Sequence, residues 1–160
     1  MHDDFGNNFR LTEMQSVIGR VQLKKLDDWV KKRRNNAMTI KNAICDLNCV
    51  RTPSPNSEIN HSYYKYYVYI NENGLASGWD RKRIMNKLLS YGAPCYTGSC
   101  GEIYLEDCFK KASIFPKNKL KYAKELSKTS LMFLCHPTIS NVQLSSYAEI
   151  IKKVLKKASR

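Results

Sequence analysis

The sequence predicts an α+β domain in which a long N-terminal helix precedes a small sheet of about three strands packed with helices. Three observations carry that expectation. Apolar residues recur at helical spacing from Met14 to Val30. Three short stretches rich in strand-forming residues, at 62–70, 93–96 and 131–135, are separated by helical patterns. A second strong helix start, at Ser140, opens a last amphipathic stretch. The expected organisation is an extended segment over 1–11, a linking helix over 12–50 and a small α+β domain over 51–160.

Taken in order, Gly6, Asn8 and Arg10 alternate in a short extended segment. Side chains spaced by two point to the same side of an extended backbone, so Asn8 and Arg10 form a hand for an anion, with Gly6 allowing close backbone approach. Nothing upstream completes this hand, which suggests that the other half of the site lies elsewhere. Thr12-Glu-Met-Gln15 is a capping box. Met14, Val17, Ile18, Val21, Leu26, Trp29 and Val30 then follow a helical period, and only Gly19 interrupts before Pro53, so one helix is expected from 12 to about 47. A helix of that length commonly spans two domains or a subunit interface. Lys24, Lys25, Lys31, Lys32, Arg33 and Arg34 are assigned to its solvated face.

Residues 51–60 are a turn-rich connector containing Pro53 and Pro55. Ser62 to Ile70 is a strand by its tyrosines and valine, with Tyr64 and Tyr66 expected toward the core. After the Asn71–Gly74 turn, Asp80 caps a helix over about 81–90 that Gly92 closes. Ala93 to Tyr96 returns as a second strand, 102–111 and 117–128 read as helices, and 131–135 is a short buried strand. Ser140-Asn-Val-Gln143 is a second capping box, opening a helix through Val142, Ile150, Ile151, Val154 and Leu155. The predicted order is one long helix, then β-α-β-α-α-β-α, with helices on one face of the sheet.

The 160 residues suit one domain with its own core, and no apolar run approaches the roughly 20 residues of a membrane span. The polar, acidic start is not a signal peptide, so a cytoplasmic location and reduced thiols are expected for the six cysteines. The net charge of +13 raises nucleic acid as a partner, but the lysines are scattered and no stretch interleaves them with aromatics as a binding groove would. Lysine outnumbers arginine 19 to 8, and asparagine is abundant, which fits an AT-rich coding sequence better than a nucleic-acid surface. The charge can still assist a phosphorylated substrate.

No glycine-rich phosphate loop, no Gly-x-Ser-x-Gly elbow and no zinc-type cysteine spacing is present. The loop from Gly92 to Tyr104 holds three glycines, a proline, hydroxyl residues and two tyrosines, a composition that presents hydroxyls and backbone amides to a ligand. His136 closes a strand before Pro137 and reads as structural. No pair of groups forms a self-contained acid–base or nucleophile unit.

With those segments laid out, the chain resembles the C-terminal part of the DegT/DnrJ/StrS family of sugar aminotransferases, pyridoxal-phosphate enzymes of the aspartate aminotransferase fold (fold type I). The likeness rests on Gly6-Asn-Asn-Phe-Arg-Leu-Thr-Glu-Met-Gln-Ser-Val-Ile-Gly-Arg-Val-Gln-Leu23, similar to the family's Gly-x-Asn-x-Arg-(Leu/Met)-(Thr/Ser)-Glu segment. Arg33-Arg34, the Tyr-Tyr-Lys-Tyr strand, Ile103–Glu106 and Thr129–Pro137 also fit. The resemblance implies transfer of an amino group, commonly from glutamate, to a keto-sugar attached to a nucleotide, with pyridoxal 5'-phosphate as electron sink. It implies a homodimer in which Asn8, with Gly6, meets the phosphate of the cofactor bound by the partner subunit. Arg10 matches a family arginine that meets substrate or steadies the loop. Tyr96, Ser99 and Tyr104 are the candidates for holding the sugar nucleotide. The family's Schiff-base lysine precedes the Gly-x-Asn-x-Arg segment, so none of the present lysines matches it and the chain alone is expected to be inactive. The competing expectation is a non-enzymatic binding or regulatory module on a degenerate aminotransferase scaffold.

Overall fold

The computed structural model describes residues 6, 10–98 and 101–160. The elements run α1 (Glu13–Leu23), α2 (Leu26–Ile44), β1 (Val50–Arg51), β2 (Tyr66–Ile70), α3 (Arg81–Ser90), α4 (Asp107–Lys111), α5 (Lys121–Thr129), β3 (Ser130–Phe133) and α6 (Asn141–Ala158). They divide between two compact units, Met1–Asp27 with Gly98–Lys128, and Asp28–Thr97 with Thr129–Arg160.

The second unit is built on an antiparallel sheet in the order β1-β2-β3. Tyr66 pairs with Phe133 and Val68 with Leu131, whereas β1 meets β2 only at Val50–Ile70 and Arg51–Tyr69. Along β2, Tyr66, Val68 and Ile70 are buried while Tyr67 and Tyr69 are half-buried, the alternation of a sheet packed on one face. The buried cluster joins that face to Ala37, Ile40 and Ile44 of α2, Ile84 and Leu88 of α3, and Ile151, Val154 and Leu155 of α6. Burial of this apolar surface, at roughly 25 cal/mol per Å², is the main stabilising term.

Local chemistry sets the helix ends. The Asp80 carboxylate accepts from the Arg83 N–H at 2.6 Å, and Gly92 takes a φ of 75° just beyond α3, where a Cβ would be strained. The Ser140 hydroxyl accepts from the Gln143 N–H at 3.2 Å while the Gln143 side chain accepts from the Ser140 N–H at 3.0 Å, so the capping box forms. On α6 the inward positions are Leu144, Ala148, Ile151, Val154, Leu155 and Ala158; Val142, expected inward, is exposed in the first turn.

In the first unit α1 opens on the expected box, with Gln15 N–H donating to Thr12 Oγ1 at 3.3 Å and Thr12 N–H donating to Gln15 Oε1 at 2.9 Å. Neither α1 nor α5 buries a residue; the buried side chains described in this unit are Tyr104 and Cys108.

Five expectations need correction. The single helix over 12–47 is two helices, because the Lys25 N–H bonds the Gln22 carbonyl at 3.0 Å and tightens the last turn of α1. Lys24-Lys25 then sit at the negative end of α1 and Asp27-Asp28 at the positive end of α2, so both dipoles favour the break. The expected strand 93–96 is reduced to one bridge between Tyr96 and Met132, since Pro94 has no N–H with which to extend a ladder. The third strand is instead β1, at the opposite edge of the sheet beside β2. The expected helix 102–111 splits into a 3-10 turn (Ile103–Leu105) and α4, separated by Glu106 at an extended ψ of 149°. The helix expected over 117–128 starts later, at Lys121. Finally, Tyr63 rather than Tyr64 is buried: Tyr63 has a φ of 46°, which throws the segment out of strand alternation and leaves Tyr64 73% exposed.

Candidate functional site

The N-terminal hand is described at two of its three positions. Gly6 and Arg10 are exposed, and Asn8 lies outside the described residues. A Cβ placed on Gly6 would meet nothing within 4 Å, so the close approach expected of this glycine is not to any described part of its own chain. Arg10 stands two residues before the capped start of α1, where the exposed N-terminal end of the helix adds to its positive field.

The loop beginning at Gly92 is fixed at successive points in the second unit. The Tyr147 hydroxyl donates to the Pro94 carbonyl at 2.6 Å, and burial pushes that phenol's pKa up. Tyr96 exchanges both backbone hydrogen bonds with Met132, at 3.0 and 2.6 Å, and the Ser130 hydroxyl donates to the Thr97 carbonyl at 2.6 Å. With its backbone held in this way, Tyr96 displays a ring that is 48% exposed. The Lys65 ammonium lies 6.0 Å from the centre of that ring and 5.3 Å from that of Tyr64. Ser99 lies outside the described residues.

Tyr104 belongs to the first unit and is buried. Its hydroxyl donates to Glu102 Oε1 at 2.5 Å and accepts from the Leu120 N–H at 3.3 Å. The hydrogen bond to Glu102 pushes the phenol's pKa up. This hydroxyl ties the 3-10 turn to the start of α5. Among the described residues no hydrogen bond or ring contact joins Gly6, Arg10 and Tyr104.

Two groups assigned to solvent have definite partners. The Arg33 guanidinium donates to the Tyr64 carbonyl at 3.0 Å and lies 5.5 Å from the Tyr64 ring centre. Arg34 donates to the His61 carbonyl at 2.8 Å and to Asn60 Oδ1. These arginines hold the 60–64 connector against α2, so they are not simply a solvated face. Asn36, buried beside them in sequence, donates to the His136 carbonyl at 3.0 Å and anchors the exit from β3. His136 accepts from the Thr138 N–H at 3.3 Å through Nδ1, in keeping with a structural role at this turn.

The sequence marks Lys65 only as the one basic residue among the tyrosines of 63–69 and does not mark Arg51, which lies 4.4 Å from the centre of the Tyr69 ring; which rings these cations meet depends on sheet register. Cys45, Cys49, Cys95, Cys108 and Cys135 are free thiols, and burial pushes Cys95 and Cys135 to about 11. Among the described residues no three His, Cys, Asp or Glu side chains could together hold a metal ion. No described helix is long and apolar enough to cross a membrane.

No curated protein sequence matches the chain. Among solved structures it is similar to an aminotransferase from Psychrobacter cryohalolentis, with 38% identity and a TM-score of 0.87 over 99% of this chain and 42% of that one. It is also similar in fold to Helicobacter pylori PseC, an aminotransferase involved in the biosynthesis of pseudoaminic acid, at 23% identity and a TM-score of 0.77, covering 96% of this chain and 40% of that one. A GDP-4-keto-6-deoxymannose-3-dehydratase with a trapped PLP-glutamate geminal diamine matches at 25% identity and a TM-score of 0.69, over 91% of this chain and 37% of that one. The chain therefore spans about two fifths of the length of these relatives. The profile of the DegT/DnrJ/EryC1/StrS aminotransferase family matches residues 1–154, and the chain belongs to that family.

Proposed function

We propose that these residues are the C-terminal part of a pyridoxal-phosphate-dependent aminotransferase that moves an amino group from glutamate to a nucleotide-linked keto-sugar. The observation that carries this reading is the 38% identity to the Psychrobacter aminotransferase across 99% of the chain. The related dehydratase, whose named substrate is a nucleotide-linked keto-sugar and which holds glutamate on its cofactor, supports the substrate classes.

On this chain the fit to the cofactor is to its phosphate. Arg10 brings a permanently charged guanidinium to an exposed segment, and the open space around Gly6 leaves room for a ligand from outside the chain. In this proposal Asn8 and Gly6 meet the phosphate of cofactor bound by the partner subunit of a homodimer. Arg10 meets the substrate, and the ring of Tyr96 with Ser99 holds the sugar nucleotide. Tyr104 serves the same loop by pinning it through Glu102 and Leu120. When bound, the cofactor supplies the electron sink for the reaction. The chain's own residues bind and orient; the Schiff-base lysine is assigned to a portion of the enzyme outside these residues, and the 160 residues alone are proposed to be inactive.

The test is an immunoblot of the native organism with antiserum against residues 140–160, followed by assay of the protein it detects. A band well above 18.5 kDa whose purified protein forms 2-oxoglutarate and an amino sugar from glutamate and a keto-sugar nucleotide supports the proposal. A purified protein that dehydrates the sugar instead, or leaves it unchanged, overturns it. In the active protein Asn8→Ala is expected to lose cofactor on gel filtration; full retention removes the role given to Asn8.

A further inference from the structure

We infer that a groove along the first half of α6 binds a single-chain amphiphile with an anionic head, its alkyl chain lying in the groove and its head held by Lys87 and Lys153. The inference rests on this part of the second unit alone and stands apart from the aminotransferase reading.

The groove lies between α6 and the turns that flank it. Its volume is about 710 Å³, within the usual range of small-molecule sites. Val142, Ser146 and Ile150 follow one another at four-residue spacing, so they form one stripe along the helix. Pro94 comes from the loop beyond α3, and Leu134 and Ile139 from the turn that leaves β3. No charged side chain lines the groove. Its polar groups are largely engaged with the protein itself. The Tyr147 hydroxyl donates to the Pro94 carbonyl at 2.6 Å, Gln143 Oε1 accepts from the Ser140 N–H at 3.0 Å, and Thr138 Oγ1 lies 2.7 Å from His136 Nδ1. What the groove offers a ligand is therefore apolar surface, and an alkyl chain there covers a valine, Val142, that is otherwise 81% exposed.

The charge stands at one end. Ile84 and Leu88 of α3 pack in the core with Ile151, Val154 and Leu155 of α6, which brings the two helices together. Lys87 and Lys153 meet there over one ring: their ammonium groups lie 4.9 and 5.1 Å from the centre of Tyr91. Tyr91 adjoins Gly92, which lines the groove, and Lys153 stands about one turn beyond Ile150 on the same helix. Glu149 lies about one turn before Lys153, but neither lysine forms an ion pair with it or with any other described carboxylate. Two like charges held on one ring repel, and an anion between them relieves that repulsion. The order along α6 is thus an apolar stripe and then a cation, the order of tail and head in an amphiphile. A lone phosphate leaves the stripe bare, and a neutral alkyl ligand leaves the lysines unpaired.

The experiment is calorimetric titration of the chain with octyl phosphate, kept below the concentration at which it forms micelles, and with hexyl phosphate, octanol and inorganic phosphate. Octyl phosphate is expected to bind, and hexyl phosphate to bind about tenfold more weakly because two methylenes are lost. Octanol and inorganic phosphate are each expected to fall below octyl phosphate by about tenfold or more. Lys87→Ala with Lys153→Ala is expected to weaken octyl phosphate about tenfold and leave octanol unchanged. Lys41→Ala, on α2 beside Ser54 and outside the groove, is expected to change neither. Ser146→Phe fills the groove from an exposed helix position and is expected to weaken octyl phosphate and octanol together, with thermal unfolding unchanged. Absence of octyl phosphate binding at millimolar concentration, equal affinity for hexyl and octyl phosphate, or equal loss in Lys41→Ala and the double lysine variant overturns the inference. So does octyl phosphate binding that Ser146→Phe leaves intact. Cosedimentation with phosphatidylglycerol vesicles that octyl phosphate does not relieve assigns the lysines to a membrane surface and overturns it as well.

Discussion

The two units treat their apolar residues in opposite ways. In the unit of Asp28–Thr97 and Thr129–Arg160, side chains from α2, α3, α6 and the sheet close on one another, and Ile40, Val68, Ile84, Phe133 and Ile151 are fully buried. In the unit of Met1–Asp27 and Gly98–Lys128, Met14, Val17, Ile18 and Val21 line one face of α1 and all stay exposed. Both stretches follow the helical period equally well. Periodicity therefore reports which face of a helix wants to be covered, and says nothing about whether the same chain covers it. The first unit leaves its candidates Gly6 and Arg10 exposed and buries Tyr104, whereas the second holds Tyr96 on a fixed sheet edge.

The strongest way to break the comparison is a cavity. Phe133→Ala removes a fully buried ring and is expected to destabilise by about 3–5 kcal/mol, while Val17→Ala on α1 stays within about 0.5 kcal/mol. Urea unfolding of the two variants measures both. Similar losses would show that α1 packs as firmly as the sheet and would end the contrast.

A smaller effect comes from two buried thiols of the second unit. Cys95 and Cys135 are pushed to about 11 by burial. A thiol whose folded pKa lies above its unfolded value binds its proton more tightly when folded. Its contribution is thus complete below the unfolded pKa near 8.5 and is lost as pH rises toward 11. Each thiol accounts for roughly 2–3 kcal/mol of this alkaline loss as an upper figure. Tyr66 and Tyr147, also pushed up by burial, carry the loss to higher pH. Replacing both cysteines with alanine is expected to flatten the stability profile between about pH 9 and 11. An unchanged profile would place the thiols in contact with water.

The same contrast explains what could be read from the sequence. The caps at Thr12, Asp80 and Ser140, and the closing Gly92, are legible because each interaction lies within a few residues of its cause. β1 is not legible, because two residues carry no pattern and its strand character comes from pairing with Tyr69 and Ile70. Tyr63 and Tyr64 exchange their expected positions because a single positive φ resets the alternation. At the candidate site, spacing by two marks Gly6, Asn8 and Arg10. The surroundings of Tyr104 depend on Glu102 and Leu120, and the rings beside Lys65 on distant strand register, so composition alone points to these residues without separating a pinning tyrosine from a displayed one.

Cap removal sharpens the comparison at about 1 kcal/mol. Ser140→Ala frees the Gln143 N–H at the start of a helix whose inner face is in the core, so the loss, about 0.5–2 kcal/mol, appears in global unfolding. Thr12→Ala removes the same kind of cap from a helix that buries nothing. Its effect is expected as local fraying, seen as faster amide exchange in 13–17, with global unfolding unchanged. A global loss equal to that of Ser140→Ala would mean that α1 is tied to the core.

The smallest effect on stability is the most informative about α1. An exposed stripe of Met14, Val17, Ile18 and Val21 is a contiguous apolar surface of the kind that drives association. Val17→Lys with Ile18→Lys leaves intact the buried positions of the other unit, so its unfolding free energy is expected to move by no more than about 0.5 kcal/mol. Association should change instead. The unaltered chain is expected to show concentration-dependent mass in sedimentation, and the doubly substituted chain to run as a monomer. Both chains sedimenting as monomers would show that the stripe is tolerated in water. Both associating would place the sticky surface elsewhere, with exposed Ile114, Phe115 and Leu120 as the next residues to replace.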